Sequence, residues 1–257
     1  MKKFILKVIL VLILAALAIT AVFLLNGYSV YKDITSKQSI VEKMEELRNN
    51  PDYVKKSEIS QDYLNAVIAV EDHRYYEHGA IDIIAVIRAI FVNVQNNEFR
   101  EGGSTITQQV AKNFYFMGND VNASGSAKKI AEAMLSINLE RSYSKDAILE
   151  AYVNNIFFGN NCYSIKAASK YYFNKEPKDL TLYEATMLAG IPNAPSLYNP
   201  INDFELTKSR QRKVVQDMAK YGYITEEQEK ELYNEIDAHK EFKLPETTKS
   251  KNNNIKY

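Results

Sequence analysis

The chain has 257 residues, 46% of them hydrophobic, which is enough to build one domain with a proper core. Basic and acidic side chains balance at 32 each, so the broad basic excess of a nucleic-acid binder is excluded. A single cysteine, Cys162, excludes an intramolecular disulfide, and beside only three histidines it argues against a Cys/His zinc site.

From the N-terminus, Lys2, Lys3 and Lys7 accompany an apolar run that carries no charge from Val8 to Leu25. About 20 such residues cross the hydrocarbon core of a bilayer as a helix. The lysines set the N-terminus in the cytoplasm and the remainder outside. A cleaved signal peptide is the alternative, with a small-x-small site at Ala16-Leu17-Ala18, but the apolar run continues beyond that site. Either way the domain is exported. Residues 1–26 therefore read as a cytoplasmic stub and transmembrane anchor. Residues 27–58 read as a polar membrane-proximal connection, 59–240 as the main domain, and 241–257 as a polar, disordered tail.

Within the main domain the signals are helical. Ser60 precedes Leu64, Val67 and Ile68 at helical spacing, and that helix ends near Glu71. Ile81 to Val94 is apolar enough to predict a helix buried almost all round. Ser104 is the expected cap of a helix through Lys112. Ser126 opens one carrying Ile130, Met134 and Ile137, and Ser144 precedes Ile148, Leu149, Tyr152 and Val153. Two capping boxes, Thr181-x-x-Glu184 and Thr225-x-x-Gln228, open the last helices; the first stops near Gly190, before Pro192, and the second near His239. With no run of alternating strands, the class is mainly α. Two short matches are set aside. Leu244-Pro245-Glu246-Thr247-Thr248 lacks the final glycine and the hydrophobic stretch of a sorting signal. The SxxK pairs at Ser126 and Ser142 lack the companion motifs of penicillin-binding serine enzymes.

Three stretches carry candidate chemistry. Glu71-Asp72-His73-Arg74-Tyr75-Tyr76-Glu77-His78 sets acids, bases and aromatics after an apolar helix, and reads either as a catalytic cluster or as a solvated helix end. Gly102-Gly103-Ser104-Thr105-Ile106-Thr107-Gln108-Gln109-Val110-Ala111-Lys112-Asn113 places two glycines before a hydroxyl-rich helix start. Backbone N–H groups there suit an anion such as phosphate, and an ordinary capped helix has the same pattern. In Lys128-Lys129-Ile130-Ala131-Glu132, the acid lies one helical turn from both lysines, as it also would on an exposed, charge-paired helix.

Together these stretches resemble the peptidoglycan glycosyltransferases, the transglycosylase domain of class A penicillin-binding proteins and of their monofunctional relatives. An EDxxFxxHxG-type motif is met by Glu71, Asp72, Tyr75 and His78, and GGSTITQQ with its Lys-Asn pair is met in full from Gly102 to Asn113. An RKxxE-type motif is met by Lys129 and Glu132. Two later motifs run from Ile148 to Asn155, followed by Phe158-Gly159, and from Glu184 to Ser196. The resemblance covers about residues 55–200. Departures are Ala80 at the first motif's glycine, Tyr75 for Phe, Lys128 for Arg, Phe157 for Tyr, and Asn174 for a glycine after the Tyr-Phe pair. Lys128 keeps the charge but gives up bidentate phosphate contact.

The resemblance implies a lysozyme-like, bilobal helical domain with a head and a membrane-apposed jaw, the jaw being expected around residues 114–135. It implies inverting β-1,4 transfer from a glycan on polyprenyl pyrophosphate to lipid II, without a nucleotide cofactor. Glu71 corresponds to the general base and Glu132 to the second essential acid, either orienting the lysines or holding a divalent cation, Mg or Mn, on the pyrophosphate. Lys112, Lys128 and Lys129, helped by the helix start at Ser104, would meet the leaving group. Asp72, His78, Thr105, Gln108, Gln109 and Asn113 would shape the substrate sites, with Tyr152 and Asn154 in support. Membrane lipid, transpeptidases and other cell-wall synthesis proteins are the implied partners, and nucleic acid is not among them. The rival readings are a lysozyme-like enzyme that cuts glycan, since paired acids serve both, and an inactive cell-wall scaffold.

Overall fold

The computed structural model describes residues 1–96, 102–118, 120–246 and 248, and among these the regular structure is eleven α-helices with short 3-10 turns and no strand. The mainly α expectation holds. The first helix, α1 (Lys2–Lys37), is long and apolar enough to cross a membrane, and its side chains from Phe4 to Leu25 are exposed. It continues without a break past the apolar run to Lys37, so the connection begins as helix. Next come α2 (Ile40–Arg48), α3 (Gln61–Glu71), α4 (Ile83–Asn96), α5 (Ile106–Tyr115) and α6 (Gly125–Ser142). Then follow α7 (Lys145–Asn154), α8 (Ile165–Phe173), α9 (Leu182–Gly190), α10 (Phe204–Lys220) and α11 (Glu226–Ala238).

Two packed groups form the core. In one, α3 lies against α9 and α10, with Tyr63, Leu64, Leu188, Val214 and Met218 fully buried. In the other, α5 packs on α6 and α7 through Ile106, Leu135, Leu139, Ile148 and Leu149. Burying each such side chain contributes roughly 1.5–3 kcal/mol, which is what drives the two groups together.

The helix ends follow local chemistry. The boxes at Thr181/Glu184 and Thr225/Gln228 are both formed, and Ser144 accepts from Ala147 N–H at 3.3 Å. The cap of α5 is Thr105 rather than Ser104, because only Thr105 has a glutamine three residues on to complete the box. Likewise α6 is capped by Ser124, two residues before the expected start at Ser126. Asn174, standing at the family's glycine, is the left-handed C-cap of α8 at φ 55°, a conformation asparagine tolerates.

Three expectations are corrected. The stretch from Ile81 to Val94 is not buried all round: Ile83, Ile84, Ile87, Ile90, Phe91 and Val94 of α4 are 59–71% exposed. The aromatic start of the segment expected to form the membrane-apposed jaw, Phe114-Tyr115-Phe116-Met117, is largely turned inward, since Phe114 and Tyr115 are in the core and only Met117 of these four is exposed. The tail is packed at its start. Phe242 sits among Tyr172, Phe173 and Phe204, and Thr248 donates to the Tyr171 carbonyl at 3.1 Å. The remainder of that expectation, residues 247 and 249–257, lies outside the described residues.

Candidate active site

A cleft of about 660 Å³ opens between the two helix groups. Seven of the expected site residues line it: Glu71, Ser104, Gln108, Gln109, Lys112, Lys129 and Glu132.

Glu71 is the last residue of α3, and its side chain is only 12% exposed. Burial pushes its pKa up. Two neighbours work against that rise. Gln109 Nε2 donates to Oε2 at 2.7 Å, and the Arg210 guanidinium stands 3.9 Å from Oε1. Tyr152 is buried behind Gln109, and its hydroxyl donates to Gln109 Oε1 at 3.5 Å. Tyr152 does not line the cleft and touches it through Gln109, whose NH₂ faces Glu71.

Glu132 is 6% exposed on α6 and forms an ion pair with Lys129, one turn earlier. Lys129 Nζ also donates to Ser104 Oγ at 2.9 Å. The ammonium is thus held from α6 and from the segment that precedes α5. Lys128 does not line the cleft.

The start of α5 is not an open anion site. Ile106 N–H donates to Asp72 Oδ2 at 3.1 Å, and Gln108 N–H to Thr105 Oγ1 at 3.1 Å. Two of the N–H groups at this helix start are thus taken by the protein, and the cations that line the cleft are side chains.

The other expected residues hold the frame. Asp72 is buried and bonds His78 Nε2 at 2.7 Å as well as the α5 backbone, while Thr105 Oγ1 donates to the Ala80 carbonyl at 2.8 Å. Asn113 donates to the Asn155 carbonyl at 2.7 Å. Asn154 accepts from Val54 N–H at 2.9 Å and donates to the carbonyls of Val54 and Glu150, each at 2.8 Å. It therefore clamps the membrane-proximal connection to α7. The Tyr75 that replaces Phe is buried, and its hydroxyl is satisfied by the Lys145 carbonyl at 2.8 Å.

The sequence reading missed one wall. Arg210, Lys213, Asp217 and Lys220 of α10 face the cleft, joined by His73, Arg88 and Tyr221. The His73 ring stacks on Tyr221 at 4.1 Å between centroids, and burial, with Arg88 nearby, lowers its pKa. The spacing of Arg210, Lys213, Asp217 and Lys220 on one helical stripe, opposite buried Val215 and Met218, was the available signal.

Among the described residues, the one group of three acidic or histidine side chains close enough to share an ion is Asp72, His78 and Asp82. Each carboxylate oxygen of that group already has a protein partner. Asp82 takes the Arg74 guanidinium through both oxygens and the N–H of Ala85, and Asp72 takes His78 and Ile106. Glu132 belongs to no such group and offers a single carboxylate, paired with Lys129.

A family model described as Transglycosylase matches residues 37–219. Penicillin-binding protein 1A of Neisseria lactamica is 46% identical over 171 residues, which is 66% of this chain and 21% of the relative. Penicillin-binding protein 1F of Bacillus subtilis (strain 168) is 47% identical over 176 residues, 68% of this chain and 24% of the relative. The chain thus spans between a fifth and a quarter of the length of these curated relatives. The crystal structure of penicillin-binding protein 1A from Haemophilus influenzae aligns with 75% of this chain and 18% of its own, at 21% identity and a TM-score of 0.43. With the matched region running from before α2 to the penultimate residue of α10 and containing the whole cleft lining except Lys220 and Tyr221, the chain belongs to the transglycosylase family, the peptidoglycan glycosyltransferase domain of class A penicillin-binding proteins.

Proposed function

We propose that this chain polymerises lipid II into β-1,4-linked glycan strands by inverting transfer from a glycan carried on polyprenyl pyrophosphate. The observation that supports it most is the make-up of one cleft: a desolvated carboxylate, Glu71, shares it with Lys112, Lys129, Arg210, Lys213 and Lys220. A glycan-cutting enzyme needs two acids across the bond and has no use for this many cations. A pyrophosphate leaving group does.

In this reading Glu71 takes the proton from the acceptor's 4-hydroxyl. The freed oxygen attacks the donor's anomeric carbon from the face opposite the pyrophosphate, and the bond to the pyrophosphate oxygen breaks with inversion. Burial makes the carboxylate a stronger base, and Gln109 and Arg210 favour its ionised form against that rise. Negative charge growing on the pyrophosphate meets Lys129, fixed by Glu132 and Ser104, with Lys112 beside it in the cleft. We assign Glu132 to orienting Lys129. A divalent cation, Mg or Mn, would draw most of its ligands from the substrate's own phosphates.

We further propose a single-pass topology in the bacterial cytoplasmic membrane, with α1 spanning, the N-terminus inside and the domain outside. The exposed face of α4 rests in the lipid. At 14 residues α4 is too short to span. One face carries the apolar side chains, while Arg88 on another lines the cleft. A substrate with a lipid tail then reaches the cleft without leaving the bilayer.

The test is a gel assay of full-length protein with labelled lipid II, with and without moenomycin, the inhibitor the resemblance implies. A moenomycin-sensitive ladder of glycan is expected. Release of fragments from preformed glycan, without a ladder, would overturn the reading in favour of a hydrolase.

A further inference from the structure

In α1 the glycine at position 27 is buried, although every residue from Met1 to Asn26 with a described side chain is exposed. The reason is α6, which α1 packs along. A Cβ added to Gly27 would stand 2.5 Å from Ile130 Cβ and 3.4 Å from the Ala127 carbonyl oxygen. No real side chain fits there, so the two helices touch backbone to side chain at this point. The contact continues one and two turns on. Tyr31 accepts at its hydroxyl from Asn138 Nδ2 at 3.0 Å, and Ile34 is buried in the core. Ile130 is flanked in sequence by Lys129, and Glu132 is two residues on.

We infer that Gly27 seats the membrane anchor on the helix that carries the leaving-group cation Lys129, and is a positioning residue for Lys129 and Glu132. This rests on the reading of those two residues given above. The apolar run of α1 ends at Leu25, and at 1.5 Å per residue Gly27 lies about 3 Å beyond it, at the level of the lipid headgroups. Ile130 is pressed against Gly27 there, so Lys129 is held at the height where a polyprenyl-linked pyrophosphate resides. The anchor acts as a ruler as well as a tether. A larger residue at 27 would push α6 away and shift Lys129 from Ser104, and a displacement of about 1 Å in a catalytic group costs on the order of 100-fold in rate.

The experiment compares full-length Gly27→Ala, the size swap Gly27→Ala with Ile130→Gly, and Lys129→Ala in the lipid II polymerisation assay. Helix propensity alone predicts that Gly27→Ala stabilises α1 and leaves kcat unchanged. The seat predicts that kcat falls about 10- to 100-fold, with KM for lipid II within about threefold, because the lost interaction is made in the transition state. The swap, which returns the room, should recover to within about tenfold of wild type, the residue reflecting glycine within α6. Wild-type kcat in Gly27→Ala would overturn the inference, and so would a swap no faster than the single variant. Full activity in Lys129→Ala would instead overturn the leaving-group reading beneath it.

Discussion

Glu71 is a carboxylate placed where water is scarce, and its protonation is set by a contest between burial and two neighbours, Gln109 and Arg210. Its folded pKa lies above that of the unfolded chain. Its contribution to stability is therefore fully present below the unfolded value and is lost as pH rises through the folded one. Ionisation of Glu71 therefore costs stability as pH rises, so the melting temperature of Glu71→Gln relative to the unsubstituted chain should be higher at pH 7 than at pH 4. A thermal scan at the two pH values checks this. Removing the opposing charge has the other sign: Arg210→Gln should move the acid limb of the kcat profile to higher pH. The two adjacent lysines should separate cleanly. Lys129→Ala is expected to lower kcat about 10²–10³-fold, as loss of a fixed charge-stabilising donor does. Lys128→Ala, outside the cleft, should stay within about threefold under the same initial-rate assay. Glu71, Gln109 and Lys129 were legible in the sequence because they sit in local motifs. Arg210 was not, because nothing in one sequence says which face of α10 turns toward a helix more than a hundred residues earlier.

At the scale of the element, the instructive case is α4. Its composition is apolar throughout, and the sequence reading assigned it to the core. Lipid and protein interior are nearly equivalent solvents for Ile and Phe, so periodicity and hydropathy do not separate them. The fold leaves Ile87 and Phe91 facing outward, 62% and 67% exposed. Ile87→Glu with Phe91→Glu should therefore leave thermal stability nearly unchanged in detergent, as surface substitutions do. The same pair should cut kcat/KM for full-length lipid II at least about tenfold in bilayers, since each removes roughly 1.5–3 kcal/mol of apolar burial in lipid. A matched loss of melting temperature would show that α4 belongs to the core after all. The start of α5 teaches the complementary lesson. The glycines and hydroxyls suggested an anion site, but Asp72, thirty-four residues away in sequence, takes the first N–H of the helix. A helix terminus is open only if no distant side chain reaches it, and local sequence does not report distant side chains. Thr105 as the cap was legible, since Gln108 completes its box.

Across the whole molecule, one N-terminal helix is long and apolar enough to cross a membrane, and two helix groups meet at a cleft whose acids are few and whose cations are many. The helical class, the anchor and the order of motifs were all present in the sequence. The wall supplied by α10, the seat of α1 on α6 and the outward face of α4 were not, because each depends on how separate elements meet. The central claim is that Glu71 is the base of a glycan polymerase working in that cation-lined cleft. The most direct measurement is a gel of labelled lipid II products from full-length wild type and Glu71→Gln, with lipid II binding measured on the same samples. The account predicts a ladder from the wild type, and from the variant a rate lower by roughly 10²–10⁴-fold with binding retained. A Glu71→Gln protein that builds the ladder at near the wild-type rate would contradict it.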